Sequence, residues 1–397
     1  MKLGVLLFLL FFANLTEAFN EEKDTLLYAK AVELSKKFMI VDTHIDIPYR
    51  LKNKWEDISK KTERGHFDYP RAVDGGLNAA FMSIYIPPRY EESGGSVEFA
   101  DSLIDLVEHF SNNYPQKFAI AKSTKDVSQH FNNGIISFPM GMENGTPIES
   151  SFENLKHFYD RGIRYITLAH GKANHICDSS YDPNKKWNGL SPFGKSLIAE
   201  MNRLGLMIDI SHVSDSTFYQ VINLTKAPVI ASHSSCRYFT PGFERNMNDD
   251  MIKKLAKNDG VIQITFGSYF ISKNYNAEMV LMNNYLEEHN IKRWSNEGKE
   301  YYNKYVKEHD VNFGTIKDLI NHIDHVKNLV GIDHVGLGSD FDGVGALPAG
   351  IKDVSSFPNI IYELLKRGYK EKDIQKICSG NILRVWKKVE DIAAKNK

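Results

Sequence analysis

Eight short apolar runs, each followed by a longer amphipathic or polar segment, restrict the fold of this chain more than any other feature. The runs are Met39–Val41, Asn78–Ile86, Ile135–Met142, Ile163–Leu168, Leu206–Ile210, Pro228–Ala231, Val261–Phe266 and His334–Gly338. Most are rich in β-branched or aromatic residues and too short for helices, so they read as strands. Between them, Glu98–Phe110, Ser191–Leu204, Asp249–Lys257 and Thr315–Leu329 repeat apolar residues with helical spacing, as does Asp24–Phe38 ahead of the first run. Gly162, Gly205, Gly260 and Gly331 stand just before runs, where helices stop. Eight such alternations fit an α/β fold of the TIM (β/α)8 barrel type better than an open doubly wound sheet. No Gly-x-Gly-x-x-Gly follows the first run, so the usual mark of dinucleotide binding is missing.

The remaining segments bound the domain. Met1-Lys2, the apolar run Leu3–Ala13 and the polar stretch ending Thr16-Glu17-Ala18 form a signal-peptide pattern, with an apolar core too short for a transmembrane span. Residues 1–18 are therefore expected to be cleaved, and residues 19–397 to form one barrel domain in a secreted or periplasmic protein. The last residues, Glu390–Lys397, carry no hydrophobic tail of the kind a GPI anchor needs. Ser272–Phe313 is long, polar and rich in Asn, Lys, Glu and Tyr, and reads as a partly helical insertion at about 272–313, lying over the barrel mouth. The net charge of −1 gives no electrostatic reason to expect nucleic acid as a partner. Cys177, Cys236 and Cys378 allow at most one internal disulfide, so the core must stabilise itself. Asn144-Gly145-Thr146 and Asn223-Leu224-Thr225 are glycosylation sequons.

Polar residues fall in a pattern against those strands. His44 and Asp46 end the first run, Glu143 the third, His170 the fourth, His212 the fifth, His233 the sixth, and Asp340 and Asp342 the eighth. A single His beside a strand is commonly structural, and an Asp there is commonly a helix N-cap. Histidines in loops or helices, such as His66, His109, His289 and His322, take that plain reading. Imidazoles and carboxylates gathered at one end of a barrel are different, because buried and unpaired they would cost several kcal/mol. A divalent metal site is the simplest explanation. His44 and Asp46 can grip one ion, His212 and His233 a second, and Glu143 can give one oxygen to each. Mixed imidazole and carboxylate ligation suits zinc, with manganese or cobalt as substitutes. Two such ions would share a bridging water and lower its pKa toward neutrality. Asp340 is then the candidate proton carrier, or else an N-cap or a support for a ligand. His170 is the candidate oxyanion donor, or else a partner of another ligand. Arg245 either binds a substrate carboxylate through its planar fork or is an exposed loop residue.

From about residue 36 to residue 388 the chain resembles the membrane (renal) dipeptidase family of zinc peptidases. The resemblance is carried by Val41-Asp42-Thr43-His44-Ile45-Asp46, Gly141-Met142-Glu143-Asn144-Gly145, Gly162 to His170, Gly189 to Gly194, Ile208 to Ser214, Pro228 to Ser235, Arg245-Asn246-Met247, Gly338 to Val344 and Gly380 to Val385. It implies a TIM barrel with two zinc ions, His44 and Asp46 on one, His212 and His233 on the other, and Glu143 between them. It also implies that His170 meets the scissile region, Arg245 the substrate carboxylate, and that Asp340 handles the proton. The implied activity is hydrolysis of dipeptides, often with a D-residue at the C-terminal position, and in some members opening of a β-lactam ring. The family's animal members are GPI-anchored, disulfide-linked dimers. Here the anchor signal is missing and the cysteine pattern differs, which leaves a non-covalent homodimer as the expected assembly. Ser268-Tyr269-Phe270, the segment Gly171–Trp187 and the insertion after residue 271 also depart from the family.

Two rivals stand against this reading. Other binuclear amidohydrolases act on phosphotriesters, lactones or cyclic amides, and many bridge their metals with a carboxylated Lys at the fourth strand, where this chain has His170. A non-catalytic binding barrel would predict loss of a ligand or of Asp340, and every such position is intact.

Overall fold

A computed structural model describes residues 24–293 and 295–395; the segment 1–18 read as a signal peptide lies outside them. Ten strands occur in chain order: β1 (Ile40–Ile45), β2 (Leu77–Tyr85), β3 (Phe118–Ile120), β4 (Ile136–Phe138), β5 (Met140–Glu143), β6 (Ile163–Thr167), β7 (Met207–Asp209), β8 (Ile230–Ser234), β9 (Val261–Ile264) and β10 (Val335–Leu337). β1, β2 and β5 to β10 pair in parallel, each with the next. The ring closes where Phe341, just past β10, bridges to Ile45. There Asp340 N donates to His44 O over 3.0 Å and Asp46 N to Phe341 O over 2.9 Å. These eight strands and the helices between them make the TIM barrel that the alternation predicts.

The third run is not one strand. It divides at Pro139, whose missing N–H interrupts the ladder. β4 pairs with β3, a strand the sequence did not announce, and meets β2 only at Ala79–Ser137, whereas β5 alone joins the ring.

Apolar residues pointing into the barrel fill its lower half. Val41, Phe81, Tyr165, Met207, Ile230 and Val261 meet Val385, Trp386 and Val389 of the C-terminal helix Asn381–Lys395. The ring of Trp386 is fully buried, its centroid 5.3 Å from that of Phe81. Trp386→Ala would leave a cavity under the barrel and should cost about 3–5 kcal/mol. The midpoint of urea denaturation tests this, and a loss below about 1 kcal/mol would show that the helix is not the barrel's floor.

At the other end lie the loops. After β9 and the short helix Ser268–Ile271, the helices Lys273–Glu288 and Asn296–Glu308 form an apolar cluster of their own around Tyr275, Met279, Met282 and Tyr305. Asn276 Nδ2 donates to Tyr269 O over 2.9 Å, which ties them to the segment leaving β9. All three cysteines are buried and free. Asn144 is buried and its amide donates to Ile86 O, so that sequon is closed to a glycan, while Asn223 is exposed. Among the described residues no helix is long and apolar enough to cross a membrane.

Candidate metal centre

Seven of the eight strand-end residues anticipated from the sequence, all but Asp342, meet at the C-terminal mouth of the barrel, where TIM-barrel sites form. His44 lies in β1, and Asp46 stands one residue past it, where the backbone turns into the helix Ile47–Asn53. The turn after Ile45 leaves the two side chains together, with His44 Nε2 3.4 Å from Asp46 Oδ2. Glu143 ends β5 and sits at the centre. Its Oε2 is 3.5 Å from His44 Nε2, and its Oε1 is 3.2 Å from His212 Nε2, 3.4 Å from His233 Nε2 and 3.5 Å from His170 Nε2. Each carboxylate oxygen thus faces a different set of imidazoles. Two of the residues adopt left-handed backbone, His212 at φ 67° and Asp340 at φ 61°. L-residues rarely accept that conformation, and such strain gathers where a side chain must be aimed.

The donor set fits a cation. Ligand atoms lie within 4.8 Å of one another in three overlapping groups: His44–Glu143–His233, Glu143–His170–His212 and His44–Asp46–Asp340. His44 Nε2 is buried without a hydrogen bond, and His212 Nε2 and His233 Nε2 face each other across 2.9 Å. All are nitrogen or oxygen donors, the chemistry of zinc, manganese or cobalt sites.

The charges agree. Burial alone would raise the Glu143 carboxyl, but the ring of histidines, His44 and His170 foremost, holds its pKa well below the usual range. Burial would depress His44, yet Tyr165, Glu143 and Asp46 outweigh it and raise its pKa well above normal. Burial, with Arg245 and neighbouring imidazoles, pushes His212 and His233 well below normal. Asp340 goes the other way: burial and the nearby Asp46 and Glu143 carboxylates raise its pKa well above the carboxylate range. Carboxylates crowded together, with His170, His212 and His233 kept neutral and His44 drawn toward the acids, form the pattern that a divalent cation completes.

Arg245 is buried, so the exposed-loop alternative fails. Its Nη1 donates to Ser234 Oγ (2.8 Å), its Nη2 to His233 O (2.6 Å), and its Nε has no partner. The guanidinium also lies 5.4 Å from the centre of the Phe270 ring. Asp342 is a strand-end carboxylate that does not join the centre. It accepts from Arg50 Nε over 2.8 Å and from the His66 backbone N–H. Sequence reasoning also missed residues of the wall and floor. Tyr85 ends β2 with its ring 4.7 Å from that of His170, while Asp42, Tyr165, Asp209 and Ser232 lie beneath the ligands. The aromatic at the end of the second run was the available signal for Tyr85.

Comparison with known proteins agrees with this geometry. Residues 28–397 match the model of the membrane dipeptidase peptidase family. The chain is 32% identical over 344 residues to the dipeptidase tcpJ of Claviceps purpurea, covering 84% of this chain and 71% of that protein. It is 32% identical over 387 residues to the dipeptidase verJ of Clonostachys rogersoniana, covering 93% and 89%. A crystal structure described as a probable dipeptidase, PvdM of Pseudomonas aeruginosa, superposes with a TM-score of 0.80 at 26% identity, over 92% of this chain and 99% of that one. A barrel with side chains able to hold a metal clustered at its mouth, matched over residues 28–397, belongs to the membrane dipeptidase family of metallopeptidases.

Proposed function

We propose that this chain hydrolyses dipeptides at a centre of two zinc ions, one held by His44 and Asp46, the other by His212 and His233, with Glu143 shared between them. The observation that carries this reading is the division of Glu143: Oε2 faces His44, and Oε1 faces His212 and His233. Bound zinc supplies Lewis acidity and a hydroxide nucleophile at neutral pH.

The chain's own residues do the rest. Arg245, locked by Ser234 Oγ and His233 O, keeps its Nε free to meet the substrate's terminal carboxylate. His170 is held neutral by burial, so its N–H can donate to a developing oxyanion without carrying charge into the site. Asp340, whose carboxylate lies within 4.8 Å of the ligand atoms of His44 and Asp46, accepts a proton as the nucleophile forms and returns it to the leaving amine. The proposed substrates include dipeptides with a D-residue at the C-terminal position, as the resemblance to the family implies.

Purified protein reconstituted with zinc should hold two ions per chain, and a chelator should abolish dipeptide hydrolysis until zinc is returned. A panel of L,L and L,D dipeptides with a carbapenem alongside defines the substrate. Hydrolysis that persists after elemental analysis shows the metal gone would overturn the proposal.

A further inference from the structure

The two-zinc reading uses the ligand atoms that face the mouth and leaves unexplained the buried acids beneath them, Asp209 among them. Asp209, the last residue of β7, is fully buried. A carboxylate so placed needs several hydrogen bonds to be tolerated. It accepts from Ser232 N (2.8 Å), Ser232 Oγ (2.6 Å), Ser211 N (3.0 Å) and Thr167 Oγ1. Each of these contacts comes from a donor, so the single hydroxyl proton of Ser232 lies toward Asp209.

Ser232 Oγ also lies 2.8 Å from His233 Nδ1. With its proton already committed, the hydroxyl can only accept there, so Nδ1 must carry the hydrogen. The other nitrogen, Nε2, is then a bare lone pair, and it is the one aimed at Glu143 Oε1. The same logic operates separately on His44. Tyr165 OH donates to Thr43 O (3.0 Å) and lies 2.8 Å from His44 Nδ1, which must therefore donate to it. The Tyr165 ring fits because residue 141 is Gly: a Cβ there would stand 1.9 Å from the ring. His212 Nδ1 has no such partner.

From this chain of donors we infer that Asp209 is a positioning residue that acts through Ser232 to hold His233 in its metal-binding tautomer, while Tyr165 does the same for His44. The inference rests on the two-zinc reading and adds to it that each ion has its own support beneath one of its histidines.

Zinc affinity of the full chain, measured by competition with a chromophoric chelator, tests it. Ser232→Ala should weaken one of the two ions by about 10- to 100-fold and leave the other unchanged. Tyr165→Phe should weaken the other ion, and the double variant should weaken both. Asp209→Asn should weaken the same ion as Ser232→Ala, and by more. Its amide would donate to Ser232 Oγ, turn that hydroxyl toward Nδ1 and leave a proton on Nε2. Should Asp209→Asn not fold, the two hydroxyl variants decide the matter. Wild-type affinity for both ions in Ser232→Ala, or equal loss of both ions in each single variant, would overturn the inference. Fewer than two ions on the wild type would instead overturn the two-zinc reading itself.

Discussion

Replacing Asp340 by Asn should lower kcat for dipeptide hydrolysis by about 10²- to 10⁴-fold while zinc content stays as in the wild type. The amide keeps the shape of the side chain but cannot take up and return a proton. The same substitution should stabilise the metal-free protein at neutral pH. Burial and the Asp46 and Glu143 carboxylates raise the folded-state pKa of Asp340 above its unfolded value. Stability attached to such a group is fully present below the unfolded pKa, about 4, and is lost as pH rises through the folded pKa. Asn has no charge to lose, so its advantage should be largest at neutral pH and vanish below about pH 4. Thermal unfolding of the chelated proteins across pH measures this. Full turnover in Asp340→Asn with both metals bound would remove the proton-carrier role.

Glu143→Gln should have the opposite sign. Its carboxylate is the group that four imidazoles face, and the shift in its pKa is downward. A carboxyl depressed in the folded state contributes stability above its unfolded pKa, about 4.3, and loses it as pH falls through the folded value. At neutral pH the metal-free Gln variant should therefore unfold at lower temperature than the wild type, and the difference should close in acid. Turnover should fall by about 10³-fold or more, because the shared ligand is gone. Zinc per chain should drop with it. Retention of two tightly held ions in this variant would refute the bridging role. The paired experiment is stronger than either alone, since two acidic-to-amide changes within one centre are expected to move stability in opposite directions.

The barrel was legible because strands buried on both faces appear as continuous apolar runs, and because His44, Glu143, His170, His212, His233 and Asp340 each mark where such a run gives way. What stayed hidden depends on neighbours distant in sequence. Thr43 Oγ1 donates to Ser232 O across 189 residues, and nothing local to either residue announces that contact. Tyr165 and Ser232 look like ordinary strand residues until the ring of strands brings them under an imidazole. Asp342 misled for a related reason. Asp340 and Asp342 both take left-handed backbone, at φ 61° and 67°, so spacing by two no longer places side chains on the same side. The split at Pro139 was visible as a proline, but only the pairing of β4 with β3 shows that the chain used it to leave the ring.

Trp386 and the helix that carries it also set a timetable. The strand bearing His44 is synthesised well before the helix that seals the barrel beneath it. Until that helix docks, Val385, Trp386 and Val389 do not cover the inward-facing apolar side chains of the strands. A nascent chain therefore presents its histidines and acids as scattered weak sites, and tight capture of an ion must wait for the finished barrel. Damage to the helix Asn381–Lys395 should accordingly be felt at the opposite end of the barrel, as a weakened hold on the metal.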